Sequence, residues 1–236
     1  MIRLLDCRPH DAYLAGHVPR ALHLDPEIEL TGEVGDTSRG RHPLPSAEAF
    51  AEAATRAGIA EDTFVLAYDE GSGWAARCWW LLRHFGHNYA GSFDLRSYAG
   101  PRRSGMARVT WRVRPRFIAR PRVDDVIEAE EIYERLGDQS LVLLDTRSPE
   151  RWRGDVEPID PVAGRIPGAR NAYFELPLPE GATNARELAV YCGSGVTACV
   201  QLQRLILTGR SDARLYPGSF SEWCRREGFP IEKGEL

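Results

Sequence analysis

Short apolar runs that close on a polar residue alternate along this chain with stretches of helical periodicity. Leu4-Leu5 ends at Asp6, Val65-Leu66-Ala67-Tyr68 at Asp69, Leu141 to Leu144 at Asp145, and Leu188-Ala189-Val190-Tyr191 at Cys192. Runs of this length between helical patterns are the mark of parallel strands joined by crossover helices, so the fold class predicted is α/β. The same patterning predicts helices over 46–57 with Ser46 as cap, 74–85, 125–136 with Asp124 as cap and 198–207, and a last helix starting at Ser219 or Ser221. In open parallel sheets ligands collect at the carboxyl ends of strands, where Cys192 sits.

The chain also repeats itself. Leu4-Leu5-Asp6-Cys7-Arg8 returns as Leu143-Leu144-Asp145-Thr146-Arg147, and Gly16-His17-Val18-Pro19 is answered by Gly164-Arg165-Ile166-Pro167. Tyr68-Asp69 before Gly71-Ser72-Gly73 matches Tyr191-Cys192 before Gly193-Ser194-Gly195, and Gly91-Ser92-Phe93 matches Gly218-Ser219-Phe220. Matched blocks in one order indicate a tandem duplication. The halves are expected at 1–100 and 124–236, each a parallel sheet flanked by helices. Between them, 101–123 is rich in arginine and proline and reads as a surface linker whose cations form inter-domain salt bridges or face solvent.

Composition narrows the function. The 236 residues carry 30 Lys+Arg against 34 Asp+Glu, a net charge of −4, which gives no general attraction for nucleic acid or an anionic membrane. No run approaches the roughly 18 apolar residues of a membrane span, and Asp6 and Arg8 interrupt the start where a signal peptide is apolar, so a cytoplasmic protein is expected. Five cysteines, an odd number with no C-x-x-C pair, suggest free thiols in place of a disulfide framework or a zinc site. No metal or organic cofactor is implied.

One loop carries chemistry. Cys192-Gly193-Ser194-Gly195-Val196-Thr197 lies between a strand and a helix, and its glycines let backbone N–H groups converge on one point. A cysteine at the centre of such a cradle is favoured as its thiolate, and the same cradle can hold the charge of a persulfide. Ser194 and Thr197 are placed to hydrogen-bond that sulfur or to polarise a substrate oxygen, though hydroxyls at a helix start also serve as plain caps. Cys7, Cys78, Cys199 and Cys224 read as small buried hydrophobes. Cys199 is seven residues further on, about 10 Å along a helix, beyond the roughly 7 Å that a disulfide spans between Cα atoms. A phosphatase reading fails because the arginine such loops carry six residues after the nucleophile is Ala198 here.

These residues resemble the tandem-domain rhodaneses, and among them the 3-mercaptopyruvate/thiosulfate sulfurtransferases. The resemblance spans nearly the whole chain and rests on 192–197, on Asp145-Thr-Arg-Ser-Pro-Glu-Arg-Trp-Arg-Gly154, on Glu157-Pro-Ile-Asp-Pro-Val-Ala-Gly-Arg-Ile-Pro-Gly-Ala169, on Gly40-Arg-His-Pro-Leu-Pro45 and on Leu215-Tyr-Pro-Gly-Ser-Phe-Ser-Glu-Trp223. It implies two rhodanese-like domains, the first inactive because Asp69 stands where the second has Cys192. It also implies a double displacement in which Cys192 takes sulfur from a small-molecule donor as a persulfide and yields it to a thiol, cyanide or a thioredoxin-like acceptor. Arg151 falls on the family's substrate arginine and would meet a donor carboxylate, and His42 falls on a histidine that would move protons with Cys192 and Ser194. The backbone of Gly193, Gly195 and Val196 would line the donor site. An uncharged loop resembles the mercaptopyruvate branch; thiosulfate:cyanide transfer and a sulfur carrier that binds without turnover are the alternatives. The Asp6/Arg8 and Asp145/Arg147 pairs read as structural. Two departures stand out: Arg165 replaces the histidine of the usual Gly-His-Ile-Pro-Gly, and only 23 residues separate Gly168 from Cys192, leaving little room for a helix over 174–181.

Overall fold

The computed structural model describes residues 1–33, 37–107 and 116–235. They form two compact units, one of residues 1–32 and 44–122, the other of residues 33–43 and 123–236. The first contains β1 (Ile2–Asp6), α1 (His10–Ala15), β2 (Leu22–His23), α2 (Pro26–Glu29), α3 (Ala47–Arg56), β3 (Phe64–Asp69), α4 (Trp74–His84) and β4 (Ala90–Asp94). The second contains α5 (Ala129–Glu134), β5 (Leu141–Asp145), α6 (Pro149–Arg153), β6 (Arg170–Asn171), β7 (Glu187–Tyr191), α7 (Ala198–Leu207), β8 (Arg214–Leu215) and α8 (Ser219–Trp223).

Each unit is built on a four-stranded parallel sheet, ordered β2-β1-β3-β4 in the first and β6-β5-β7-β8 in the second. The α/β class and the duplication are thus present as one topology used twice. In each, the longest strands occupy the centre and are buried along most of their length, as parallel strands covered on both faces must be. The second core gathers Ile132, Leu143, Ile166, Tyr191, Tyr216, Phe220 and Trp223 around β5 and β7, all 0–7% exposed. Among the described residues no helix is long and apolar enough to cross a membrane.

Ser46 caps α3 by accepting the Ala49 N–H at 3.1 Å, and α4 and α7 match the periodicity that predicted them. The helix expected over 125–136 with Asp124 as cap is shorter: α5 begins at Ala129 with Glu128 before it. The reason is tertiary. Val126 forms a parallel bridge with Leu215; Ile127 N–H donates to the Leu215 carbonyl and Leu215 N–H to that of Asp125, at 2.9 Å each, so 125–127 lies extended along the edge of β8. β-Branched residues at an unfilled sheet edge gain more from pairing than from a first helical turn.

The stretch read as a linker is not free of the first unit. Arg103 bridges His17, and Phe117 is 7% exposed and packs edge-on to Phe50. Arg102 and Arg120, both largely exposed, pair with Glu70 and Glu61 of the same unit. Arg108, Arg112 and Arg114 lie outside the described residues. Segment 33–43, which falls in the first half of the sequence, belongs to the second unit, and its 37–39 turn packs on α8. As the shortened 174–181 stretch implied, no helix forms there, only a single 3-10 turn at Ala182–Asn184. Fully buried Gln201 of α7 pins the preceding chain instead, donating to the carbonyls of Ala172, Tyr173 and Leu176.

Candidate active site

The site lies in the second unit, where β7 ends at Tyr191 and the chain turns through residues 192–197 into α7. Gly195 takes φ +80°, which points its N–H back at the cysteine. Its N–H lies 3.0 Å from Cys192 Sγ and that of Ser194 3.4 Å. Two backbone donors therefore converge on the sulfur of a residue that is 2% exposed. Below the loop, the turn into α8 holds it from behind. Cys192 N–H donates to Ser219 Oγ, the Cys192 carbonyl accepts from Phe220 N–H and the Gly193 carbonyl from Ser221 N–H.

The first unit supplies an internal comparison. At the matching bend after β3, the Asp69 carboxylate accepts the N–H groups of Gly71 and Ala75, each at 3.0 Å, and the Ser72 hydroxyl at 2.9 Å. An anion sits where the second unit has its sulfur, which is what a convergent set of N–H donors at a helix start stabilises. A carboxylate has no sulfur atom on which a persulfide could form.

Segment 40–42 completes the site. Gly40 has φ +85° and lies so close to the 218–221 turn that a Cβ there would be 2.5 Å from the Gly218 carbonyl. Arg41 N–H donates to Ser221 Oγ at 3.1 Å. These contacts bring His42 Nδ1 to 2.8 Å from Ser194 Oγ. Ser194 and His42, both singled out from the sequence, thus form a hydrogen-bonded pair two residues along the loop from the cysteine. Thr197 is different: its hydroxyl is paired with that of Thr146 at 3.3 Å, and it neither reaches the sulfur nor caps α7. Val196, in the loop two residues before α7, is 5% exposed.

Arg151, from α6, reaches the loop. Its guanidinium donates to Glu157 at 2.7 and 3.2 Å and to Asp160 at 3.4 Å. Both of its Nη atoms lie 3.5 Å from the point a Cβ on Gly193 would occupy, and Arg41 Nη2 lies 2.8 Å from it. Gly193 is therefore required less for a curled backbone than for the close approach of two guanidinium groups. Asp160, whose side chain is fully buried, also accepts from Arg41 Nη1 and from Arg225 Nη1 at 3.0 Å. Glu157, 3% exposed, is shared between Arg151 and Arg147, and Arg147 in turn grips Asp145 at 2.6 Å. Among the described residues the network holds Arg41, Arg147, Arg151 and Arg225 against Asp145, Glu157 and Asp160. Sequence reasoning missed Arg41, Asp160 and Arg225; the only signal was that Arg41 adjoins His42 and that Asp160 lies in the Glu157–Ala169 motif.

The remaining cysteines behave as structural residues. Cys7, Cys78 and Cys199 are fully buried. A thiol hydrogen bond with Cys78 and burial push the Cys7 thiol well up, and burial, with the charge of Asp160, pushes Cys224 up. Arg165 is likewise structural: fully buried over the Trp152 ring at 4.1 Å, it donates to Glu232 at 2.6 Å and ties down the C-terminal segment. Among the described residues no group of three or more His, Cys, Asp and Glu side chains is placed to hold a metal ion.

The model of the rhodanese-like domain matches the chain twice, over residues 1–97 and 128–226. A Pseudomonas aeruginosa protein named "Probable 3-mercaptopyruvate sulfurtransferase" is 38% identical, the match covering 94% of this chain and 86% of that one. "Thiosulfate/3-mercaptopyruvate sulfurtransferase 2" of Arabidopsis thaliana is 30% identical, over 94% of this chain and 77% of its own. The crystal structure of SseA, a 3-mercaptopyruvate sulfotransferase from Escherichia coli, superposes with a TM-score of 0.74 at 27% identity, covering 93% of this chain and 92% of that one. With both sheets, both cradles and both domain matches in agreement, this chain belongs to the rhodanese family.

Proposed function

We propose that this sulfurtransferase accepts sulfur from 3-mercaptopyruvate, with thiosulfate as a second donor, onto Cys192, and passes it to a small thiol, cyanide or a thioredoxin-like protein. The observation that carries the reading is the pair of backbone N–H groups aimed at Cys192 Sγ. They are placed to hold negative charge on the attacking sulfur and on the persulfide that results. In the first step the Cys192 thiolate attacks the donor sulfur. A sulfur–sulfur bond forms, the carbon–sulfur bond breaks, and its electron pair leaves as the enolate of pyruvate, which takes up a proton. The hydrogen-bonded Ser194 and His42 supply that proton through the Ser194 hydroxyl. In the second step an incoming thiolate attacks the outer sulfur and Cys192 leaves as thiolate.

Arg151 binds the donor carboxylate in this reading, its planar fork matched to two oxygens. The loop 192–197 carries no cation for the second charge of thiosulfate, which favours mercaptopyruvate as donor. The names of the relatives support both donors.

The test is steady-state release of pyruvate and sulfide from 3-mercaptopyruvate with a thiol acceptor, run beside thiosulfate with cyanide, for the native protein and Cys192→Ser. A preference for mercaptopyruvate that vanishes in the variant is the expected result. A preference for thiosulfate refutes the donor assignment, and turnover that survives Cys192→Ser refutes the nucleophile.

A further inference from the structure

We propose that His10 and His23, in the first unit, form a chelating site for one divalent ion of the imidazole-preferring class, such as Zn²⁺ or Ni²⁺. The site uses no residue of the Cys192 loop and is independent of the sulfur-transfer reading.

Its basis is how the two rings meet. His10 Nδ1 lies 3.4 Å from His23 Nδ1, with the rings at 66° to each other. His23 Nε2 lies 2.8 Å from the Arg8 carbonyl oxygen, which can only accept, so the proton of this imidazole is on Nε2 and its Nδ1 holds the lone pair. A carbonyl that takes one ring N–H and leaves the other nitrogen free is what fixes the tautomer of a metal-binding imidazole. A hydrogen bond from an N–H is usually about 2.9–3.0 Å long, shorter than this contact. Two nitrogens held at about 2.0–2.1 Å from one tetrahedral ion, by contrast, stand about 3.4 Å apart. The pair is also held in place. His23 pairs with Asp6 of β1, and its ring lies against buried Tyr13, centroids 5.0 Å apart. His10 opens α1 one turn before that same tyrosine, whose hydroxyl is fixed on the Ala21 carbonyl at 3.2 Å. His10 is exposed and His23 half-buried, so an ion enters from solvent and water fills its remaining positions. Asp25, two residues after His23, is committed to capping α2 through the N–H groups of Glu27 and Ile28. Two neutral imidazole nitrogens select Zn²⁺ or Ni²⁺ over Mg²⁺ and Ca²⁺, which take oxygen ligands. A bound ion would join the start of α1 to β2, an edge strand that pairs with β1 through only Leu22 and His23.

The experiment titrates Zn²⁺ by calorimetry into the full chain with Cys192 blocked by iodoacetamide, so that this thiol does not compete for the ion. One ion per chain is expected, and His10→Ala and His23→Ala are each expected to weaken it about tenfold or more, since a single imidazole loses the advantage of a tethered second ligand. Acylation of imidazoles by diethyl pyrocarbonate, followed by mass spectrometry of the peptides that hold His10 and His23, then locates the ion. With free Zn²⁺ at about ten times its dissociation constant, acylation of both histidines is expected to slow about tenfold. In His10→Ala the protection of His23 is expected to disappear, a dependence that a ligand pair shows and two unconnected surface histidines do not. Absence of Zn²⁺ binding below about 1 mM, where the interaction is worth less than about 4 kcal/mol, overturns the inference. So does an affinity unchanged in both variants, protection of His23 that survives His10→Ala, or equal protection by Mg²⁺. Should His23→Ala not fold for want of its contact with the Arg8 carbonyl, the exposed His10→Ala decides by itself.

Discussion

In the proposed reaction Ser194 and His42 act as one proton-handling unit, with His42 reaching the donor through the Ser194 hydroxyl. His42 comes from the segment seated on the 218–221 turn, Ser194 from the loop whose own N–H faces the sulfur, and the 2.8 Å contact between them is the link. Residues acting through one hydrogen bond lose their effect once, whichever partner is removed. His42→Ala and Ser194→Ala are each expected to lower kcat with mercaptopyruvate by about 10²-fold, the range of a positioned general acid. The double variant is expected to fall no further than the worse single one. Rates that multiply would show two separate roles. Single-turnover persulfide formation checks this step apart from the acceptor. At this scale the residues legible in the sequence were those carried by a contiguous motif: Cys192, Ser194 and the glycines. Arg41 and Asp160 were not legible, because their pairing spans 119 positions and no local pattern records it.

At the scale of elements, α5 is joined to β7 and β8 by a charge cluster that makes a pH-dependent clasp. Arg135, at the end of α5, donates to Asp138 and Glu187, and Arg214 donates to Glu131 and Glu187. The N–H and hydroxyl of Ser140, then Arg135, hold the Asp138 carboxyl down to about 2, and Arg135 and Arg214 lower Glu187 and Glu131. A carboxyl depressed by folding contributes stability above its unfolded value, about 4, and loses that contribution as pH falls toward the folded value. Thermal unfolding should show Asp138→Ala below the native protein at pH 6, with the gap closing between about pH 4 and pH 2. A gap that is constant with pH would assign the effect to the turn geometry alone. This junction is also where elements were hardest to foresee. The strands and the two strand-loop-helix bends are local patterns and were readable, twice over because of the duplication. The start of α5 depends on whether 125–127 pairs with β8, some ninety residues away, and the sequence window around it favours helix regardless.

Across the whole molecule the duplication has kept one structural knot and extended it in one copy. Arg8 grips Asp6 at 2.7 Å and the Gly16 carbonyl; Arg147 grips Asp145 at 2.6 Å and the Gly164 carbonyl. Each arginine takes a further carboxylate, but Glu70 is 44% exposed whereas Glu157 is 3% exposed and passes the charge on to Arg151 and the site. The bare knot therefore belongs to the fold, and the arginine network of the Cys192 loop is built on it in the second unit. Breaking a buried pair by removing one partner costs about 3–5 kcal/mol, because the other charge is stranded away from water. Each unit carries its own reporters: Cys7 and Cys78 in the first, Cys199 in the second, all fully buried and labelled only when their unit opens. Asp6→Asn is expected to speed labelling of Cys7 and Cys78, and Asp145→Asn that of Cys199, by about two to three powers of ten, read by mass spectrometry under native conditions. Asp145→Asn should also lower the ratio of the rates at which iodoacetate, a carboxylate, and neutral iodoacetamide alkylate Cys192, because Arg147, freed from Asp145, competes with Arg151 for Glu157 and disturbs the guanidinium proposed to meet a donor carboxylate. Asp6→Asn has no such route through the network and should leave that ratio at its native value. A ratio that falls equally in both variants would show that the network answers to the stability of the chain in general, and not to the knot on which it is built.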